Sequence, residues 1–150
     1  MKETFFIVIT PIVIFLVAFP ALWVGVNAVL SYTGGWALLA KRFRSDHSEK
    51  GHEFRFATAL FKKKPMPPVT YRGNLFITIG ENGIQLSLLF LFRVLSPPLL
   101  IPWSEIEGIS EQRHLFGIYG VIDIRNCPVR ILVPGNAGKY LLDSRAGISA

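Results

Sequence analysis

Hydrophobic and polar positions divide this chain into three regimes. From Phe5 to Leu30 the run FFIVITPIVIFLVAFPALWVGVNAVL contains no ionisable side chain. A hydrocarbon core about 30 Å thick takes roughly 20 apolar residues at 1.5 Å rise each, so the run predicts one transmembrane helix with length left for tilt. It is far longer than the apolar region of a secretory signal and no small-x-small site follows it cleanly, so we expect it to be retained as an anchor. In the second regime, SYTGGWALLAKRFR, Gly34 and Gly35 end or bend the span, and Trp36, Leu39 and Phe43 recur at three and four with Lys41, Arg42 and Arg44 between them. That pattern predicts a short interfacial helix with Trp36 at headgroup level. Ser45 to Glu53 (SDHSEKGHE) has no apolar residue to bury and predicts a linker.

From Phe54 onward the period shortens to two. Phe54 to Phe61 predicts a strand, stopped by the prolines of KKKPMPPV. Leu75, Ile77 and Ile79, then the turn Glu81-Asn82-Gly83, then Ile84, Leu86 and Leu88 give the clearest hairpin. The alternation fails in Leu88 to Phe92 (LLFLF), which predicts a strand with two apolar faces. One face serves the core; the other, carrying Leu89 and Leu91, is expected to meet a helix, a partner or lipid. A short strand from Leu99 to Ile101 leads into a turn at Trp103 to Glu105, and a further hairpin joins Ile118–Ile124 to Val129–Val133. Asn136 to Arg145 predicts a short terminal helix with Tyr140, Leu141 and Leu142 inward. The boundaries so read are 1–33 for the anchor, 34–53 for the interfacial helix and linker, and 54–150 for a β domain.

Within the span, Pro11 and Pro20 each remove a backbone donor and call for neighbours that satisfy the freed carbonyls. Ala18, Ala21, Gly25 and Ala28 recur at three, four and three, a small-residue stripe that lets another helix approach closely. Asn27 is read as lying near that stripe and donating across the interface.

Charge sharpens the picture. Between Lys41 and Lys64 eight Lys or Arg face three acids, a balance of +5, whereas beyond Lys64 seven bases meet six acids. The basic charge is therefore gathered beside the span, where anionic headgroups attract each cation by about 1 kcal/mol. Trp36, Lys41, Arg42, Arg44, Lys62, Lys63 and Lys64 are the expected membrane-surface residues. Positive charge after the span places the carboxyl-terminal domain in the cytoplasm, on an inner cell membrane. No basic stripe interleaved with aromatics crosses the domain, which argues against nucleic acid. Cys127 is alone, which excludes an intramolecular disulfide and any CxxC signature.

Two elements carry a resemblance. The succession RGNLFITIGENGIQLSLLF, PPLLIPWSEIEGI, a second hairpin and a terminal helix resembles bacterial PH-like and GRAM-like domains, in which strand, glycine turn and strand precede a φPWxxIxxI element. It resembles in particular small uncharacterised bacterial single-pass membrane proteins with an amino-terminal span, a GGWxxLAxRFR segment and this domain. The likeness runs from about Gly34 to Ile131 and rests on Glu81-Asn82-Gly83 and on Ile101-Pro102-Trp103-Ser104-Glu105-Ile106. It implies a membrane-anchored, mainly β fold: a small antiparallel sheet or open barrel with a short carboxyl-terminal helix, used for lipid or protein binding without enzyme activity.

Catalysis has weak support in the residues. Ser104, Glu105, Glu107, Glu111 and His114 are the components of a general acid–base site, but no GxSxG, HExxH or phosphate loop ties them together. His47 and His52 lack a third spaced ligand, so neither metal nor cofactor is expected. Two non-enzymatic readings remain: an accessory or scaffold subunit of a larger membrane complex, contacting integral membrane partners through the span, and a module binding anionic lipid headgroups. A homo-oligomer stays open beside them.

Overall fold

The computed structural model describes residues 1–148, so the last two residues of the expected β domain lie outside the described part. Among the described residues the elements are α1 (Lys2–Gly34), α2 (Trp36–Phe43), β1 (Gly51–Lys63), β2 (Val69–Gly80), β3 (Gly83–Leu88), β4 (Leu99–Pro102), β5 (Ile106–His114), β6 (Gly117–Ile124), β7 (Val129–Pro134) and α3 (Gly135–Ile148). α1 is long and apolar enough to cross a membrane, and it runs through Pro11 and Pro20 without a break. The seven strands form one antiparallel sheet in the order β4-β3-β2-β1-β7-β6-β5, curled into a half-barrel.

β1 joins the two halves of that sheet. It pairs with β2 from Gly51 to Phe61 and with β7 from Leu60 to Lys63. Its register slips between Phe54 and Ala59, where Phe56 takes φ 52° and turns an exposed ring outward. One extra β1 residue between Phe54 and Ala57 and two extra β2 residues between Tyr71 and Leu75 bend the ladder, which is how a 13-residue strand serves both halves. The hairpin of β2 and β3 has the expected register, with Leu75 opposite Leu88, Ile77 opposite Leu86 and Ile79 opposite Ile84. The β6–β7 hairpin also forms as read, one residue longer at each outer end.

Inward side chains of both halves meet in one core, including Phe61, Leu75, Ile77, Ile84, Leu86, Ile122 and Ile131. α2 belongs to that core. Trp36 and Leu39 are fully buried and Phe43 nearly so, with the Trp36 ring stacked on Phe61 and edge-on to Tyr71. This corrects the interfacial-helix reading: the apolar face spaced at 36, 39 and 43 is covered by the sheet, which is drier than a headgroup layer. The domain therefore begins at Trp36, ahead of the expected boundary at residue 54.

Three further readings are revised. The Ser45–Glu53 linker is strapped to the sheet, because its polar groups find polar partners. The Gln85 side chain receives the Glu49 N–H (2.8 Å) and donates to the His47 carbonyl (2.7 Å), and Glu49 Oε1 accepts the Asn82 N–H (3.0 Å). The doubly apolar strand Leu88–Phe92 does not exist: β3 stops at Leu88 and Phe90–Phe92 is a 3-10 turn. On α3 Leu141 is buried and Leu142 partly so, but Tyr140 faces outward and stacks on His52. β5 is an edge strand that the sequence reading passed over; its polar Glu107, Ser110, Glu111 and Arg113 suit an edge that must stay wet.

Candidate membrane-proximal site

The end of α1 and the domain are joined without a spacer. Gly35 lies between the two helices at φ 87°, a left-handed conformation that glycine adopts without cost. A Cβ there would stand 2.5 Å from Val129 Cγ2, and one on Gly34 would stand 3.0 Å from Val69 Cβ. Both glycines thus let the helix end rest directly on β2 and β7.

The longer contact is made by the β3–β4 loop, Leu89 to Pro98. Two side chains of α1 and one of α2 fasten its carbonyls. The Trp23 indole N–H donates to Leu91 (3.1 Å), the Ser31 hydroxyl to Leu95 (2.9 Å) and the Trp36 indole N–H to Pro97 (2.9 Å). The Trp23 and Phe92 rings lie 5.2 Å apart, extending a line of stacked rings from Phe15 through Phe19. Trp23, Asn27, Ser31 and Gly34 share this face at spacings of four, four and three. Sequence reasoning overlooked Trp23 and Ser31 as docking residues; their signal is polar or aromatic positions recurring every fourth residue late in an apolar span.

Asn27 is accordingly not beside the small-residue stripe. It is buried on the docked face, where its side chain donates to the Trp23 carbonyl at 2.8 Å. At 100° per residue Gly25 stands 160° from Asn27, on the other side of α1. Ala18, Ala21 and Gly25 are exposed and Ala28 is half-buried; nothing lies within 4 Å of a Cβ built on Gly25. Ala21, Gly25 and their neighbours Leu22, Val26, Val29 and Leu30 form a shallow apolar groove of about 460 Å³.

The basic residues divide. Arg42 is committed to the domain: it pairs with Glu105 at 2.9 Å and donates to the carbonyls of Arg125 (3.0 Å) and Asn126 (3.3 Å). Trp36 is buried, which removes it from any surface role. Lys41 and Arg44 are exposed. Lys62, Lys63 and Lys64 line an open groove of about 950 Å³ that also holds Glu107, Asp123 and Arg130, the last two joined as an ion pair at 2.6 Å. Lys63 Nζ sits over the Tyr32 ring, 5.0 Å from its centroid, which fixes this cluster to the end of α1. Of the expected apolar surface, Leu89 is half-buried and Leu91 is exposed in the docked loop.

The chain matches no known family model, no curated protein and no solved structure.

The acid–base candidates are not gathered. Glu105 lies just before β5 and is held by Arg42, while His114 ends that strand about 30 Å away at strand rise, edge-on to Tyr119. Glu111 is bound by Arg113, whose guanidinium is shifted further up by that hydrogen bond and charge. No group of three His, Cys, Asp or Glu side chains able to hold a metal occurs among the described residues. Tyr71, close to the helix end, is pushed well above the ordinary phenol range by burial; its hydroxyl lies 3.5 Å from the Leu30 carbonyl.

At the opposite end of the domain, Leu115 and Phe116 form the tip of the β5–β6 hairpin, essentially fully exposed. β6 runs from this tip to Ile124, next to Val129 and the helix junction, so about 23 Å of strand separates the tip from the end joined to α1.

Proposed function

We propose that the protein is a non-enzymatic, single-pass membrane protein that serves as an accessory or scaffold subunit of a larger membrane complex, with its PH-like β domain in the cytoplasm. One observation carries the reading: the two faces of α1 are divided between two uses. One face, through Trp23 and Ser31, is taken by the protein's own β3–β4 loop, and the opposite face, with Ala18, Ala21 and Gly25, is left small and open. Small residues on a free face let a neighbouring helix come close enough for dispersion contacts that lipid cannot match. Retention of the span is supported by the same packing, because removing α1 would strip the loop and the Tyr71 side of the core of their cover. The half-barrel with its terminal helix agrees with the fold that the PH-like resemblance implies.

The test is Gly25→Leu in the full-length protein, followed by mild-detergent purification and native sizing. Release from a stoichiometric assembly with the span still inserted supports the proposal. Retention of the assembly counts against a contact at this face.

Headgroup binding is the second reading, favoured by Lys63 over Tyr32, which sets the Lys62–Lys64 cluster at the membrane-proximal end. Replacing the three lysines by Gln should lower the anionic lipid that co-purifies with the full chain. Unchanged lipid content removes this reading.

A further inference from the structure

We propose that the β3–β4 loop, Leu89–Leu95, is inserted in the membrane beside α1, so that the protein enters one leaflet twice. The proposal rests on the reading of α1 as a span.

The run from Phe5 to Leu30 is 26 residues, about 39 Å long, against a hydrocarbon core of about 30 Å. If the whole excess is placed at the domain end, the core still reaches residue 25 or so. Trp23 therefore lies at or inside the acyl boundary for any tilt, and Leu91, hydrogen-bonded to it, lies there too. The loop climbs from Pro97 near Trp36, past Leu95 at Ser31, to Leu91 at Trp23.

Its chemistry suits that depth. A backbone that enters hydrocarbon must find its hydrogen bonds within the protein. Beyond the bonds from Trp23 and Ser31, the Leu89 carbonyl accepts the Phe92 N–H (2.8 Å), and the carbonyls of Phe90 and Arg93 accept the N–H groups of Arg93 and Ser96, both at 3.2 Å. Arg93, the one charge in the loop, turns back toward the sheet: Nε donates to the Leu88 carbonyl at 2.7 Å and the far nitrogen reaches Ser87 Oγ at 3.4 Å. A long cationic side chain on an inserted segment is expected to return its head toward the polar layer in this way. The exposed apolar side chains of the loop are Phe90, Leu91, Val94 and Leu95, between 43% and 71% exposed. Phe90 and Leu91, at the level of Trp23, have acyl chain as their occupant, and Val94 and Leu95, nearer Ser31, lie at the headgroup boundary.

The experiment places a spin label on the full-length protein in phosphatidylethanolamine–phosphatidylglycerol vesicles, with Cys127→Ser to remove the native thiol. Leu91→Cys and Val94→Cys report the loop; both side chains are exposed, so neither label disturbs the core, and either one suffices if the other expresses poorly. Val13→Cys reports the middle of the span, Leu22→Cys an exposed position of the span at loop level, and Phe116→Cys the aqueous control. Collision with oxygen relative to a water-soluble nickel chelate is expected at Leu91 to match Leu22 and to exceed Phe116 by roughly tenfold, with Val94 between Leu22 and Phe116, since hydrocarbon admits the gas and excludes the chelate. Ready access of nickel to the loop labels with Val13 still shielded overturns the proposal and leaves the span standing. Shielding of the loop labels from both reagents also overturns it, by showing a protein cover, a second copy included. Nickel access at Val13 overturns it by removing the span itself.

Discussion

The indole of Trp36 lies flat on the ring of Phe61, with centroids 5.2 Å apart and planes 11° from parallel. A residue two positions beyond α1 is thus the centre of the β core. Trp36→Ala should destabilise the domain by about 3–5 kcal/mol, the usual loss for a large buried aromatic, while also leaving the Pro97 carbonyl without its donor. Thermal unfolding of the purified full chain measures this, and Trp36→Phe should recover most of the packing but not the hydrogen bond.

Ser31→Ala and Trp23→Phe each remove one fastening of the β3–β4 loop while sparing most of the packed volume. A hydrogen bond contributes about 0.5–1.5 kcal/mol net, so amide exchange in Leu89–Pro98 should speed by roughly 2- to 10-fold in each variant. Exchange in β6 and β7 should be unchanged. Equal acceleration throughout would mean that the loop does not open by itself.

Tyr71 ties the fold to alkaline pH. Burial holds its folded phenol above the ordinary value near 10, so above that pH the unfolded chain releases a proton that the folded one keeps. Stability is therefore fully present below about pH 10 and is lost as pH rises further, by up to about 1.4 kcal/mol per unit from this group. Tyr71→Phe should flatten that slope relative to the parent protein in denaturant midpoints measured from pH 9 to 11.

α3 is seated on the sheet through glycine. A Cβ on Gly138 would fall on the Val133 carbonyl oxygen, and Gly120 on β6 meets the Gly138 carbonyl at 2.9 Å from its own Cβ position. Gly138→Ala should lift the helix and cost about 1–3 kcal/mol, the range for forcing extra volume into a packed contact. A lowered thermal midpoint with α1 still inserted is the expected result.

Periodicity made the two hairpins legible, because Leu75, Ile77 and Ile79 alternate across a turn whose Asn82-Gly83 chemistry is local. Trp36, Leu39 and Phe43 were visible as one helical face, but a sequence does not say whether a sheet or a headgroup layer covers such a face. The misplacement of Asn27 has a plain geometric cause: two residues along a helix is 200°, nearly opposite. Leu88–Phe92 reads as a strand because its apolar run is unbroken; the long-range hydrogen bonds from Trp23 and Ser31 that hold the loop against α1, 64 and more residues away in sequence, leave no local trace. β5 was missed because an edge strand is selected for polarity, which reads as a solvated loop.

Gly35 is the only residue between α1 and a helix buried in the β core, so on the proposed reading of α1 as a span any lean of the helix is passed to the sheet without a spacer. On that reading membrane thickness would set the posture of the domain. A thinner bilayer, which makes a long span lean further, would swing the Leu115–Phe116 tip through an arc set by its lever arm from the junction. The reach of that tip into the adjoining solution would then follow the lipid around α1.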